Sequence, residues 1–315
     1  MLAIFLKTLP FFALIGVGFL AAYRGFFTQS ATAYLTKFVF YFALSAMLFR
    51  FASTLSLGDI FDWNFIGAYL FGCFAIYALA TVVALIRKRP ASEAAIEAQC
   101  AVIGNTGFLG VPMLVVLMGP VAAGPVLMIL ATDLIVFSSL IVIIITASRD
   151  GRMSLTIFRS IAIGLIKNPM IVSMVAGLSV SAAGLSLPAP VDEFMALLGA
   201  AATPCALFAI GASLAGKSTE RASVALWLSF AKLILHPAAV AIGALIIFEV
   251  DPYAAAVMIA ASSLPVAGNI YMLAQHYNVA PQRVSASILM STAISILTVS
   301  LVIGWLSQMA GLSLP

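Results

Sequence analysis

The chain has 315 residues, of which 63% are hydrophobic and only 8% charged, with 15 Lys plus Arg against 11 Asp plus Glu. An average soluble domain carries about 25% charged residues, so this composition excludes a soluble enzyme and leaves an integral membrane protein. Segments of the ~20 residues that span a ~30 Å hydrocarbon core leave room for about ten helices and no sizeable soluble domain.

In chain order, apolar spans run over 10–23, 33–56, 63–86, 92–118, 125–147, 168–187, 194–215, 222–248, 253–276 and 284–309, each bounded by charges or Gly/Pro/Ser clusters. These runs are continuously apolar rather than alternating, which disfavours a barrel and predicts an all-α integral membrane protein with ten transmembrane helices. The first span has only Lys7 before its apolar run and ends in Tyr23-Arg24, so it reads as helix 1 rather than a cleaved secretory signal. Cys73, Cys100 and Cys205 fall in separate spans without paired spacing, which predicts packing residues and no zinc site.

Basic residues collect on one side. Loops after helices 1, 3, 5, 7 and 9 hold Arg24, Lys37, Arg87, Lys88, Arg89, Arg149, Arg152, Arg159, Lys167, Lys217, Arg221 and Arg283. Loops after even helices hold only Arg50 and instead carry Asp59, Asp62, Asp192, Glu193, Glu249 and Asp251. Cytoplasmic loops retain positive charge, so both termini are expected outside. The formal net charge of +4 is thus a topology signal, and no nucleic-acid partner is expected.

Two stretches resemble each other across the chain. "KTLPFFALIGVG" (7–18) and "KNPMIVSMVAG" (167–177) share a Lys just before a Pro and a Gly eight residues beyond that Pro, at an offset of 159. Carried forward by roughly that offset, the Gly/Pro/Asn-rich "VIGNTGFLGVP" of helix 4 (102–112) falls on "SSLPVAGN" of helix 9 (262–269). Five helices per half would insert the second half upside down, giving two inverted five-helix repeats: 1–148, then a cytoplasmic connector over 149–167, then 168–315. An interrupted helix leaves backbone groups unpaired at mid-membrane unless it is buried in protein or lines a cavity. Two matched interruptions therefore predict a midplane binding site, where half-helix N-termini favour an anion. Gly104, Gly107, Gly110 and Gly268 would permit close backbone approach. Asn105, Thr106, Ser262, Ser263 and Asn269 can supply hydrogen bonds, and Pro112 and Pro265 stop the ladder from re-forming. The competing reading is that such small-residue patches serve only helix packing.

At these residues the chain resembles the auxin efflux carrier family, which includes plant auxin exporters and bacterial members assigned as malonate carriers, and which is distantly similar to bile acid:sodium symporters. The motifs are "GNTGFLGVP" in helix 4, "AKLILHP" (231–237) in helix 8 and "SSLPVAGNIYMLAQHYN" (262–278) in helix 9. The resemblance covers the whole chain. It implies a ten-helix layout with crossing helices 4 and 9, scaffold and transport domains each drawn from both repeats, elevator-type movement, a homodimer and a bacterial inner-membrane setting. It makes Asn105 the leading substrate contact. Where plant members carry a second proline in helix 9, this chain has Ile270, and the long plant cytoplasmic loop is absent.

Ionisable residues inside spans are functional candidates because they are costly in hydrocarbon. Asp133 lies at mid-depth in helix 5, and Lys232 and His236 share a face of helix 8. Asp133 and Lys232 read either as a buried pair orienting two helices or as groups for ion coupling and charge compensation. His236 could carry a proton or hydrogen-bond freed backbone. Glu93 and Glu97, near the cytoplasmic end of helix 4, are explained by solvation or a helix N-terminus.

The expected function is secondary transport of a small organic anion, a carboxylate such as malonate or an auxin-like acid, and the chain is not expected to be an enzyme. A sodium-coupled symporter of the bile-acid-transporter type and a passive channel are the alternatives. No HExxH, GxSxG or Walker-type loop occurs in the sequence. No cofactor or metal is expected, although a coupling proton or sodium is compatible with these residues, sodium near Asn105, Asp133 and Asn269.

Overall fold

The computed structural model describes residues 2–55, 62–150, 155–215 and 222–309. Asp59, Arg152, Lys217 and Arg221, part of the charge pattern above, lie outside the described residues. The described chain is helical, with one isolated bridge and no strand.

Helix α1 is Leu2–Tyr23, α2 Gln29–Ser53 and α3 Trp63–Ile86. The fourth predicted span is divided into α4, Ala91–Val102, and α5, Thr106–Met118. Then come α6, Pro120–Ser148, and a pair bent by 64°, α7 over Leu155–Ile166 and α8 over Pro169–Ala182. Helix α9 is Ala189–Leu214 and α10 is Ala222–Ile247. The ninth predicted span is divided into α11, Pro252–Ser262, and α12, Asn269–His276, and α13 is Pro281–Met309. Seven of these helices are long and apolar enough to cross a bilayer, or eight if the bent pair is one span. The segment expected as a connector over 149–167 contains α7, with Asn168 capping α8 by accepting from the Met170 N–H at 3.0 Å. The acidic loop residues have local work too. Asp62 accepts from Asn64 and Phe65 to start α3, and Asp251 accepts from Tyr253 and Ala254 to start α11.

Helix pairing follows small residues. Helix α1 packs on the second half of α9, and α2 packs on α8. A Cβ on Gly18 of α1 would stand 2.1 Å from the Phe208 carbonyl oxygen, and one on Gly177 of α8 would stand 2.4 Å from the Phe49 carbonyl oxygen. Gly18 and Gly177, like Phe49 and Phe208, are 159 positions apart. The α1/α9 contact is tightest at Gly211, where an added Cβ would lie 1.8 Å from the Ile15 carbonyl oxygen. Gly211→Ala is therefore expected to cost about 1–3 kcal/mol through overpacking against backbone that cannot step aside, seen as a lowered Tm in detergent. An unchanged Tm would mean the two helices can separate without loss.

Arg50, the one basic residue of the acidic side, is accounted for by a two-pronged pair to Asp192, with Nε–Oδ1 at 2.7 Å and Nη2–Oδ2 at 3.1 Å, tying the end of α2 to the start of α9.

Candidate functional site

The two interruptions meet. Ile103 leaves α4 in an extended conformation, and Gly104 forms an antiparallel bridge with Val266. The Asn105 N–H donates to the Pro265 carbonyl at 2.8 Å, and the Ala267 N–H donates to the Ile103 carbonyl at 3.1 Å. The Val266 N–H donates to Ser291 Oγ of α13 at 3.1 Å. Breaking the ladders frees backbone donors, and each extended stretch returns partners to the other, which is how such backbone survives away from water.

A buried polar cluster surrounds the junction. Lys232, with no exposed surface, donates its ammonium to the Ser262 carbonyl at the end of α11 and lies 3.1 Å from His236 Nδ1. Gly104 makes room for it: a Cβ there would sit 3.3 Å from Nζ. His236 Nδ1 is also 3.3 Å from the Ser262 carbonyl, and its Nε2 is 3.2 Å from Cys73 Sγ. The Tyr69 hydroxyl donates to Asp133 Oδ1 at 2.7 Å, and its ring meets the His236 ring edge-on at 6.2 Å. Among the described residues no ion pair joins Asp133 to Lys232, so of the two readings the direct buried pair is not what the structure shows. The lysine is held by carbonyl and imidazole instead, because the end of α11 presents an unpaired carbonyl where the fold brings the ammonium.

Three of the five π turns among the described residues carry residues of this cluster. Thr106, Asp133 and Lys232 each sit in a π turn, over Thr106–Gly110, Asp133–Phe137 and Ala231–Leu235. Such turns are rare in helices and frequent at functional sites.

The fold leaves part of this polar capacity unspent. The Asn105 side chain is buried at the junction, 7% exposed. Asp133 Oδ2 and Asn269 Oδ1 are buried and unpartnered. An ammonium has three donors, and two acceptors are accounted for here. The Thr106 hydroxyl reaches the Gly104 carbonyl at 3.5 Å. Other expected residues contribute differently. The Ser263 hydroxyl folds back on the Ala260 carbonyl at 2.7 Å, and Pro112 is buried further along α5. Pro265 contributes its carbonyl to the bridge, Gly107 packs against Met170, and Gly268 is exposed with open space beside it.

Sequence reasoning missed Tyr69 and Cys73. Their four-residue spacing was the available signal, since it places both on one face of α3. It also missed the burial of Glu97. That carboxylate is 1% exposed and pairs with Arg87 and with Arg283 Nη1 at 2.8 Å, while Arg283 reaches Glu93 at 2.6 Å. Solvation therefore does not explain Glu97, whose partners come from the end of α3 and the start of α13.

A family model described as "Membrane transport protein" matches residues 3–303. The chain is 28% identical over 298 residues to the "Putative malonate transporter" of Rhizobium meliloti (strain 1021), covering 93% of this chain and 92% of that protein. It is 25% identical over 296 residues to the "Uncharacterized transporter YfdV" of Escherichia coli (strain K12), covering 90% and 91% respectively. The chain is a multi-pass membrane transporter and belongs to the membrane transport protein family, the auxin efflux carrier family that its helix 4, 8 and 9 motifs resemble.

Proposed function

We propose that this protein is a secondary transporter of a small organic anion, a carboxylate of the malonate or auxin-like class, with its site where the two interrupted helices cross. The observation that carries this reading is the junction itself. A buried ammonium, the buried Asn105 side chain and the N-terminal ends of α5 and α12 converge on one place. A fixed cation and free N–H donors favour a carboxylate. The name of the Rhizobium meliloti relative supports malonate as a member of that class.

In this reading each divided pair counts as one crossing, so the chain spans the membrane ten times in two inverted repeats. The shared 159-residue offset of the Gly18/Phe208 and Gly177/Phe49 contacts supports this. Helices α1, α2, α8 and α9 form a scaffold, and the remaining helices form a transport domain that carries the junction across in an elevator-like step. The scaffold dimerises in the inner membrane, with both termini periplasmic as the basic loops require. A passive pore would want a ring of polar or charged side chains along several helices, and the unpartnered buried oxygens of Asp133 and Asn269 instead gather about the junction.

The test is thermal stabilisation of the detergent-purified protein by a panel of mono- and dicarboxylates, including malonate and indole-3-acetate. A ligand at about 100 times its Kd stabilises the native state by roughly 2.7 kcal/mol. Asn105→Ala is expected to weaken the response about tenfold in ligand concentration, the loss of about one hydrogen bond. Full stabilisation of Asn105→Ala would move the site away from the junction, and no response to any acid would end the carboxylate reading.

A further inference from the structure

We propose that Asp133 carries a coupling proton, taken up with each carboxylate. The proposal rests on the anion-carrier reading above and names its coupling ion.

The cluster contains one carboxylate and one ammonium, both buried, on opposite sides of a short polar chain. From Asp133 Oδ1 the chain runs to the Tyr69 hydroxyl at 2.7 Å. Cys73 stands one turn along α3 from Tyr69. His236 Nε2 follows at 3.2 Å, and His236 Nδ1 leads to Lys232 Nζ at 3.1 Å. The groups that face Asp133 are Tyr69 and Cys73 from α3, Lys232 from α10, and Thr106 from α5. No other titratable side chain among the described residues acts on it.

Asp133 Oδ2 is the informative atom. It is buried with no hydrogen-bond partner within 3.5 Å, Thr106 being the further hydroxyl that bears on the carboxylate, whereas its sister oxygen accepts from Tyr69. An ionised carboxylate offers acceptors only, whereas a protonated one offers a donor. An arriving carboxylate needs donors and is repelled by a second negative charge. With Asp133 ionised, the empty junction balances one positive against one negative charge, and a bound monocarboxylate leaves one negative charge uncompensated in a low-dielectric interior. A proton from the water phase on Oδ2 restores the balance and turns a repelling acceptor into a donor. Proton and anion binding are then mutually favourable by linkage. When the carboxylate departs on the other side, the same proton leaves with it.

The experiment is uptake of labelled mono- and dicarboxylates, malonate included, into sodium-free proteoliposomes holding an internal pH dye, with the membrane potential clamped. One proton per anion predicts that accumulation rises about tenfold for each imposed pH unit, with internal acidification matching the uptake. Asp133→Asn is expected to lose both the response to the gradient and the acidification. Tyr69→Phe removes the O–H that competes with the proton and is expected to move the pH midpoint of uptake upward while keeping acidification, a shift that mere loss of packing would not produce. It supplies the test if Asp133→Asn does not fold. Wild-type uptake that ignores the pH gradient or requires sodium overturns the proposal alone, as does Asp133→Asn uptake that still follows the gradient. Wild-type protein that moves no acid at all overturns the anion-carrier reading and this proposal together.

Discussion

Lys232→Met is expected to lower carboxylate affinity by about two to three orders of magnitude while leaving the protein folded. The ammonium is fully buried at the junction of the two interruptions. A charge pair at 4 Å is worth about 4 kcal/mol at the effective dielectric of a protein site, and a hydrogen bond to a charged group contributes about 1.5–3 kcal/mol. Removing one of two balanced buried charges is costly when the other stays ionised, and the variant is expected to stay folded because Asp133, left without its counter-charge, can take up a proton and become neutral. The Ser262 carbonyl and His236 Nδ1 lose a donor in the variant, but they remain 3.3 Å apart and can bond to each other through the Nδ1–H tautomer. Lys232→Arg is not a conservative rescue. Even a single Cβ on Gly104 would lie 3.3 Å from Nζ, so there is little room beside the ammonium, and a planar guanidinium is wider than an ammonium. Equilibrium binding of the carboxylate that gives the largest thermal shift checks both variants. Wild-type affinity in Lys232→Met would make the lysine a tie between α10 and α11 and place the anion elsewhere.

The interruptions were legible because helix-breaking residues have no cheaper place in an apolar span. Gly104, Asn105 and Pro265 announce irregular backbone, and the structure places irregular backbone at each. The Lys-Pro and Gly spacing was legible as well, and its 159-residue offset reappears in the Gly18/Phe208 and Gly177/Phe49 contacts. What could not be read is which faces meet. Tyr69 in an apolar helix looks like any membrane aromatic until α6 brings Asp133 to its hydroxyl. Cys73 looks like a small packing residue until α10 brings His236 to its sulfur. The π turns at Thr106, Asp133 and Lys232 widen the helix by one residue per turn through tertiary demand, and no local residue pattern marks them. Charge sidedness placed Glu97 near the cytoplasmic end, but its burial depends on Arg283, a partner 186 positions away.

That same carboxylate carries the largest expected effect on stability. Glu97→Ala is expected to destabilise the protein by about 3–5 kcal/mol, the range found when one partner of a buried ion pair is removed. The loss is large because Glu97 is shared. It pairs with Arg87 and with Arg283, and Arg283 is 5% exposed with only Glu93 left to it in the variant. Glu97→Gln keeps the shape and a hydrogen-bond acceptor, so its loss is expected to be smaller. Glu97→Leu combined with Arg283→Met removes both members, and is expected to be less destabilising than the sum of the two single changes, with a coupling of about 0.5–3 kcal/mol. Thermal unfolding in detergent gives the value for each variant. The coupling bears on transport because Glu97 belongs to α4, the half-helix that ends at the junction, and its arginines belong to α3 and α13. Strong coupling means that α3, α4 and α13 are fastened at one end and move as one body with the site. Additive losses would mean that α4 is held by its apolar packing alone and is free to shift against α13 during the transport step.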